Sequence, residues 1–485
     1  MSDIQDIIEI AKRRGFFWQS SGIYGGVSGL YTYGPLGSIL KRNIISAWAD
    51  SYISIGALMV DSPVIAQEDV FRASGHLERF TDLIYECSSC KFRQKFETLL
   101  EGTGKGVPSS AEEAMKIVSS SGLKCGNCGS DKIAVTDFNL MFPVGTVRAG
   151  ESRLFLRPET AQGIFVDFQL LIRQNRDKLP LIVIQTGEGF RNEVAPRNAI
   201  IRLREFSMGE VEVFMDPESH PFTPDSSKEP VNLMDRDGKD MALPVSDALS
   251  RGIVADPAMA FFIQKTHRLL TGLGIDPGKL RFRQHRRDEL AHYSSDCWDA
   301  EALMDDTWIE IVGISDRGTY DLTRHQSHSG KSMEVKIGDK TFIPKVLEPA
   351  HGIDRILMAT LVHSRRVTDK GYVVMSLKKE IAPYKLAIFP LFKKDGLSEI
   401  AVDIFSRYSK IDPYCIYDES GSIGKRYARQ DEAGTPYCVT VDYQTKDDHT
   451  VTIRERDSGK QKRILIDDLV SGPVLGNKYV ISAFD

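Results

Sequence analysis

Between Gln185 and Phe214 the chain gathers arginines, glutamates and aromatics at spacings that suit a charged ligand. They are Phe190-Arg191-Asn192-Glu193, then Arg202-Leu203-Arg204-Glu205-Phe206-Ser207, then Glu210 and Glu212. From Phe206 onward the residues alternate. Phe206, Met208, Glu210, Glu212 and Phe214 share one face of a strand, and Val211 and Val213 take the other. A carboxylate pair beside an aromatic is out of place in a plain core. It makes sense on the wall of a cavity holding a cationic ligand, with Arg191 and Arg202 suited to a polyphosphate. A second chemistry lies in two hooks, Cys87-Ser-Ser-Cys90 and Cys125-Gly-Asn-Cys128. They supply four thiolates for a closed, tetrahedral, structural zinc site. Four protein ligands leave no open position, which argues against a catalytic metal there. Cys297, Cys415 and Cys438 are isolated and expected to be buried apolar residues.

Leu181-Ile-Val-Ile184 is a short apolar run, so residues 181–214 read as two strands joined by a long polar loop. Phe190-Arg191-x-Glu193 followed by Arg202-x-x-x-Phe206 resembles motif 2 of the class II aminoacyl-tRNA synthetases. The longer wording, with Val-Ala-Pro-Arg197 in the loop and Arg-Glu-Phe-Ser-Met after it, resembles the glycyl-tRNA synthetases of the archaeal and eukaryotic homodimeric type. Glu348-Pro-Ala350-His351-Gly352-Ile-Asp-Arg355 resembles motif 3, and Met59-Val-Asp-Ser-Pro63 the strand of motif 1. For ATP the resemblance implies Arg191 on the α-phosphate, Glu193 on the adenine amino group, Phe206 stacked on the base and Arg202 near the γ-phosphate. It implies Glu310 at the ATP-bound Mg²⁺ with Ile311 beside it, and completes the set with Asn192, Leu203, Arg204, Glu205 and Ser207. Arg355 falls in the first turn of a helix, whose N-terminus already attracts anions.

For the amino acid, Leu156-Arg157-Pro158-Glu159-Thr160-Ala161-Gln162 resembles the glycyl-type segment. The family register implies Glu159, Glu210 and Glu348 around an ammonium and Arg317 as a wall, with Arg93, Ser207, Ala350 and Gly352 completing the glycine set. Activation is in-line attack of a carboxylate on the α-phosphate, which needs positioning and positive charge more than an acid or base. Two departures stand out. Ala350-His351 replaces the family's Ser-Phe and removes a hydroxyl, so His351 or an ordered water is expected to supply the lost donor. Phe92-Arg93-Gln94-Lys95 replaces Arg-Ala-Asp-His, leaving Arg93 to keep the arginine role.

The elements that must position these groups follow from pattern. Residues 4–18 form an amphipathic helix, and the glycine-rich stretch to Gly37 opens another from Ser38 to about Ser54. Residues 80–137 read as a zinc-binding insertion with a helix from Ala111 to Val118. Residues 215–290 read as a second insertion, irregular through its Pro-, Asp- and Ser-rich part to 257. Beyond Ala382-Pro383 a β/α alternation of domain size suggests parallel strands. There Gly421 to Asp442 resembles the anticodon-binding domain of the glycyl, prolyl, threonyl and histidyl enzymes, with a basic, aromatic-bearing loop fit to meet single-stranded bases. The basic run Arg281–Arg287 reads as a solvated face.

A chain of 485 residues suggests two or three domains. Its formal charge of −5 gives no overall attraction to nucleic acid, which leaves local patches to do that work. Seven cysteines, an odd count, argue against a disulfide framework. No apolar run is long enough to span a membrane, and the acidic N-terminus lacks the pattern of a signal peptide, so the expected location is cytoplasmic. The expected fold is α+β: a class II antiparallel sheet flanked by helices over 1–381, with the zinc-binding insertion, and an α/β anticodon-binding domain over 382–485. The expected activity is glycine–tRNA ligation with ATP, Mg²⁺, a structural Zn²⁺ and tRNA(Gly), in a homodimer. Two rivals stand beside it: a class II enzyme for another small amino acid such as serine or alanine, and a non-catalytic nucleic-acid-binding paralogue.

Overall fold

A computed structural model describes residues 3–100, 103–106, 108, 110–146, 153–196, 198–291 and 294–484. Arg197 of the motif 2 loop therefore lies outside the described residues, as do Glu101, Gly102, Val107 and Ser109 of the spacer between the cysteine hooks.

Nine strands form the central sheet: β1 (Leu58–Met59), β2 (Leu181–Phe190), β3 (Glu205–Met215), β4 (Val231–Met234), β5 (Asp240–Leu243), β6 (Leu280–Gln284), β7 (Asp296–Met304), β8 (Thr307–Gly318) and β9 (Lys345–Gly352). Their order is β5-β4-β6-β7-β8-β9-β3-β2-β1. All neighbours are antiparallel except β1 with β2 and β4 with β6. The alternation read from the sequence sets the two faces. Ile182, Ile184, Val211 and Val213 join the large apolar core, which also holds residues of the helices Pro35–Ile53, Pro257–Gly272 and Ile353–Ser364. Leu181, Val183 and Phe214 join a smaller core on the other side, where the polar cavity also opens. The helix 35–53 lies hard on the sheet. A Cβ at Gly209 would sit 2.8 Å from the Trp48 ring, so glycine is what lets that tryptophan seat.

The second insertion is not the irregular stretch expected. Residues 216–230 carry no helix or strand, but β4, β5 and β6 extend the central sheet and Pro257–Gly272 fills its core. Pairings of such sequence separation leave no local periodicity to read.

The cysteine hooks cap a three-stranded sheet, Arg93–Lys95, Thr81–Cys87 and Ile133–Asn139. The helix Ala111–Ser121 packs there over a core of its own. The C-terminal sheet has five strands, with Cys415–Tyr417, Leu386–Pro390 and Tyr437–Val441 parallel and Thr450–Glu455 and Gln461–Leu465 antiparallel to what precedes them. The parallel expectation thus holds for three strands. Ile381 and Ala382, and Ala433 further on, pack into the large core, while Leu386 joins a second one. The expected basic loop is a helix, Ile423–Ala433. Arg426 is buried, donating to the Gly421 and Pro390 carbonyls, and Arg429 pairs with Asp418 at 2.6 Å. Lys425 stays exposed. In the Arg281–Arg287 run, Arg281, Arg283 and Arg286 pair with Glu301, Glu289, Asp299 and Asp288.

Candidate active site

One cavity of about 360 Å³ lies on the polar face of the sheet, lined from β3, β7, β8, β9, the loop before β3 and the start of the Ile353–Ser364 helix. Glu159, Arg191, Glu193, Arg202, Leu203, Phe206, Ser207, Glu210, Glu310, Ile311, Arg317, Glu348, Ala350, Gly352 and Arg355 all line it. Antiparallel register explains the convergence. Ala350 stands opposite both Glu210 and Gly313, and Glu348 opposite Ser315, so side chains on one face of three adjacent strands meet.

At one end the charges are held half in solvent. Arg191 sits between the Phe80 and Phe206 rings, its guanidinium carbon 5.2 and 5.1 Å from their centroids, and donates to the Pro158 carbonyl at 3.3 Å. Arg355 donates to the carbonyls of Ile201 (3.1 Å) and Glu310 (2.8 Å) and meets the Glu310 carboxylate at 3.2 Å. Arg202 stands 3.7 Å from Glu193. Glu193 Oε2 is buried with no hydrogen-bond partner among the described residues, an acceptor left for an amino group. Glu310 is half exposed, and Arg355 and Arg191 hold its pKa below the usual value.

At the other end the charges are enclosed. Arg317 is 1% exposed. It donates to Asp321 through Nε (2.7 Å) and Nη2 (2.9 Å) and to Glu348 through Nη1 (2.8 Å), with Glu159 at 3.8 Å. Glu159 also accepts from Gln162 at 2.9 Å and lies 3.5 Å from His76. Glu210 accepts from the Thr160 N–H at 2.6 Å and from its hydroxyl. Glu212, fully buried below Glu210, has neither carboxylate oxygen hydrogen-bonded among the described residues. One guanidinium cannot neutralise so many carboxylates. Burial and the Glu159 charge push Glu210 up to about 7. Burial, with Glu210 and Glu159, pushes Glu348 up to about 8 against the pull of Arg317. Burial and Glu348 likewise push Glu212 well above the usual carboxylate range. Glu159 is the exception. Burial works against its charge, but His76, Arg317 and Gln162 hold it well below the usual carboxylate range.

Some predicted residues fall elsewhere. Arg93 is exposed on the cysteine insertion, donating to Glu86 at 2.7 Å, and does not reach the cavity. The insertion's strand pairing, Glu86 opposite Arg93, consumes it. Asn192, Arg204 and Glu205 do not line the cavity either. Arg204 Nε braces the Glu193 carbonyl at 2.9 Å, and Glu205 is exposed. His351 points away from the cavity, as strand alternation demands of the neighbour of Ala350. It is fully buried between Tyr52 and the Gly209 carbonyl (3.3 and 3.2 Å), and burial lowers its pKa to about 3. It is therefore not the replacement donor expected from the sequence. Pattern reading also missed Asp354, which takes the Ser207 N–H at 2.6 Å and the Tyr33 hydroxyl. It missed Gln162 and Asp321, which orient Glu159 and Arg317, and His285 and Asp299 in the cavity wall. Asp354 and His285 act through partners distant in the chain, whereas Gln162 and Asp321 lie only three and four residues from the groups they orient.

The four cysteines of the hooks do meet. Their sulfurs lie within 4.8 Å of one another, with Cys87–Cys128 at 3.6 Å and Cys90–Cys125 at 3.7 Å. A tetrahedron of zinc–thiolate bonds has edges of about 3.8 Å, so the donor set fits that ion. Left-handed backbone at Lys91 and Gly129 (φ 60° and 70°) closes the turn after each hook.

Comparison with known proteins agrees with this geometry. The family model "tRNA synthetase class II core domain (G, H, P, S and T)" matches residues 145–363, and "Anticodon binding domain" matches 385–472. The glycine–tRNA ligase of Methanothrix thermoacetophila is 38% identical over 97% of this chain and 98% of its own. That of Methanocaldococcus jannaschii is 36% identical over 96% and 97%, and that of Pyrococcus abyssi 36% over 95% and 96%. Among solved structures, the Giardia lamblia prolyl-tRNA synthetase in complex with prolyl-adenylate superposes with a TM-score of 0.61 over 97% of this chain and 75% of that one. At 15% identity it speaks for the fold alone. With a class II core, an anticodon-binding domain and relatives matched nearly end to end, the chain belongs to the glycine–tRNA ligase family of class II aminoacyl-tRNA synthetases.

Proposed function

We propose that the cavity activates glycine with ATP and passes the glycyl group to tRNA(Gly). The glycine carboxylate attacks the α-phosphorus, pyrophosphate leaves, and a ribose hydroxyl at the tRNA 3′ end then displaces AMP from the glycyl carbonyl. Arg191 meets the α-phosphate and the attacking carboxylate, where charge develops. Arg202 and Arg355 hold the outer phosphates. Phe206 carries the adenine and Glu193 takes its amino group. Glu310 is the carboxylate for magnesium, which would neutralise phosphate charge. Glu159, Glu210 and Glu348 take the ammonium, with Arg317 and Ala350 closing the space at the α-carbon.

The observation that carries this reading is the charge imbalance at the closed end: among the described residues five carboxylates, Glu159, Glu210, Glu212, Glu348 and Asp321, crowd around the buried Arg317 guanidinium, with His76 beside Glu159. An ammonium supplies the second positive charge. Cys87, Cys90, Cys125 and Cys128 would hold a structural zinc, whose ligation energy orders the insertion. The protein acts in the cytoplasm as a homodimer, with residues 382–485 engaging the anticodon arm. Among the described residues no helix is long and apolar enough to cross a membrane. The test is amino-acid-dependent ATP–pyrophosphate exchange, in which glycine alone should drive exchange. Comparable exchange with alanine or serine would move the assignment to another small amino acid. No exchange with any amino acid would leave a binding paralogue.

A further inference from the structure

The cavity wall holds a group of side chains that activation of glycine does not use. Cys297 and Asp299 alternate on β7 and so share a face. His285, just past β6, pairs across from Cys297, its N–H donating to the Cys297 carbonyl at 2.9 Å. One donor atom from each of His285, Cys297 and Asp299 lies within 4.8 Å of the others. Cys297 Sγ is 3.8 Å from Asp299 Oδ1 and 3.1 Å from Ser315 Oγ, and His285 Nε2 is 2.6 Å from Asp299 Oδ2. His285 Nδ1 is buried with no hydrogen-bond partner among the described residues. All three residues line the cavity.

We propose that His285, Cys297 and Asp299 form a second cation site, for a soft divalent ion of the zinc class. Thiol, imidazole and carboxylate form a donor set for zinc, whereas magnesium takes oxygen donors. Three protein ligands leave a coordination position open, and here that position faces the cavity. The site therefore differs in kind from the four-cysteine cluster, which is closed. Binding forms metal–sulfur and metal–nitrogen bonds and needs the thiolate and the neutral imidazole, so the protons of Cys297 and His285 go to solvent and uptake strengthens as pH rises. A cation here also crowds the nucleotide end. A methyl group on Gly313 would lie 3.7 Å from Asp299 Oδ1 and 3.9 Å from Glu310 Oε1, so the two carboxylates flank one point. Zinc in the second site and the magnesium ion at Glu310 then repel one another across that point.

The test is zinc titration of the full-length protein. After gel filtration against a weak chelator, the protein keeps the equivalent held by the four cysteines. Under buffered free zinc it takes up a second, exchangeable equivalent. Cys297→Ala and His285→Asn each lose the second and keep the first, with unchanged circular dichroism. Should a variant misfold, cobalt added to the unsubstituted zinc-loaded protein decides, because cobalt bound through Cys297 shows thiolate charge-transfer absorption. Uptake of one equivalent only, a second equivalent surviving both substitutions, or bound cobalt without that absorption would overturn the proposal. A further arm rests on the ATP-site reading: buffered zinc that fills the second site lowers glycine-dependent exchange reversibly. Unchanged exchange with that site filled would overturn its placement against Glu310, while the binding arms stand apart from that reading.

Discussion

At the enclosed end of the cavity the Arg317 side chain is 1% exposed and divided between Asp321 and Glu348. At the open end Arg202 and Arg355 are each 32% exposed; Arg355 donates to two carbonyls and the Glu310 carboxylate, and Arg202 stands 3.7 Å from Glu193. The enclosed end is built around a deficit of positive charge that folding itself must tolerate. The open end leaves its cations partly exposed to water. Loss of a charge should therefore cost stability at the first and rate at the second.

The sharpest break is Arg317→Met. It leaves Glu348, Asp321 and Glu159 buried without their shared cation, a change expected to cost about 3–5 kcal/mol of stability. Denaturant unfolding measures it, and a variant as stable as the parent would mean those carboxylates are already neutral. Next is Arg191→Ala, at the open end. We expect a fall of about 10²–10³-fold in the exchange rate, the scale for removing one charge-stabilising donor. Its unfolding midpoint should move little, because the lost contacts are one carbonyl and two ring faces. A large stability loss with modest rate loss would erase the contrast.

Glu159→Gln probes the enclosed end without stranding a charge. Removal of one charge-assisted contact to the ammonium should weaken glycine binding by roughly 1.5–3 kcal/mol, read as KM for glycine in exchange. An unchanged KM removes Glu159 from the ammonium site. The pH dependence follows from its neighbours. Glu210 and Glu348 ionise near about 7 and about 8 in the folded protein, against 4.5 as ordinary carboxylates. Over that interval the native state binds protons that the unfolded chain has released. Their contribution to stability is full below 4.5 and is lost as pH rises through 7 and 8. Glycine affinity runs the opposite way, because the ammonium needs them ionised. Apparent affinity should rise by up to about tenfold per pH unit between about pH 6 and pH 8, and Glu210→Gln should flatten the profile. A flat profile in the parent would mean that these carboxylates do not face the ammonium.

What could be read in the sequence divides along the same line as the site. Strand alternation from Phe206 to Phe214 put Glu210 on the cavity face and Val211 and Val213 in the core. The paired hooks put four sulfurs together. Local periodicity and short spacing sufficed for both. Arg93 failed because its place depends on a strand pairing inside the insertion. The helix 423–433 failed because Arg426 and Arg429 look solvated until their carbonyl and Asp418 partners are known. Gln162 and Asp321 stand only three and four residues from Glu159 and Arg317, but residue type does not say that they turn toward them, and His76 meets Glu159 only through the fold. Residue type and spacing foretold which side chains line the cavity, Arg93 and a few neighbours aside. They did not foretell the side chains that act on other side chains.

The smallest expected effect concerns Ala350, at the boundary between the two ends. It faces the cavity opposite Glu210 and Gly313, while His351 is committed to Tyr52 and Gly209 behind the sheet. The hydroxyl absent at position 350 is thus not replaced by the adjacent ring, and an ordered water or Glu210 itself must serve the substrate. A serine there would stand beside Glu210, to which its O–H can donate. That bond would favour the ionised carboxylate but compete with the ammonium for it. The two effects oppose, so Ala350→Ser should change glycine activation by less than about tenfold, the scale of one neutral hydrogen bond. Alanine should remain a poor substrate in both proteins. Its exclusion rests on steric overlap at the α-carbon, which one hydroxyl on the wall does not relieve. Activation efficiency for glycine and alanine in parent and variant measures both. If the parent used alanine as well as glycine, the enclosed end would be selecting an ammonium without selecting the smallest amino acid.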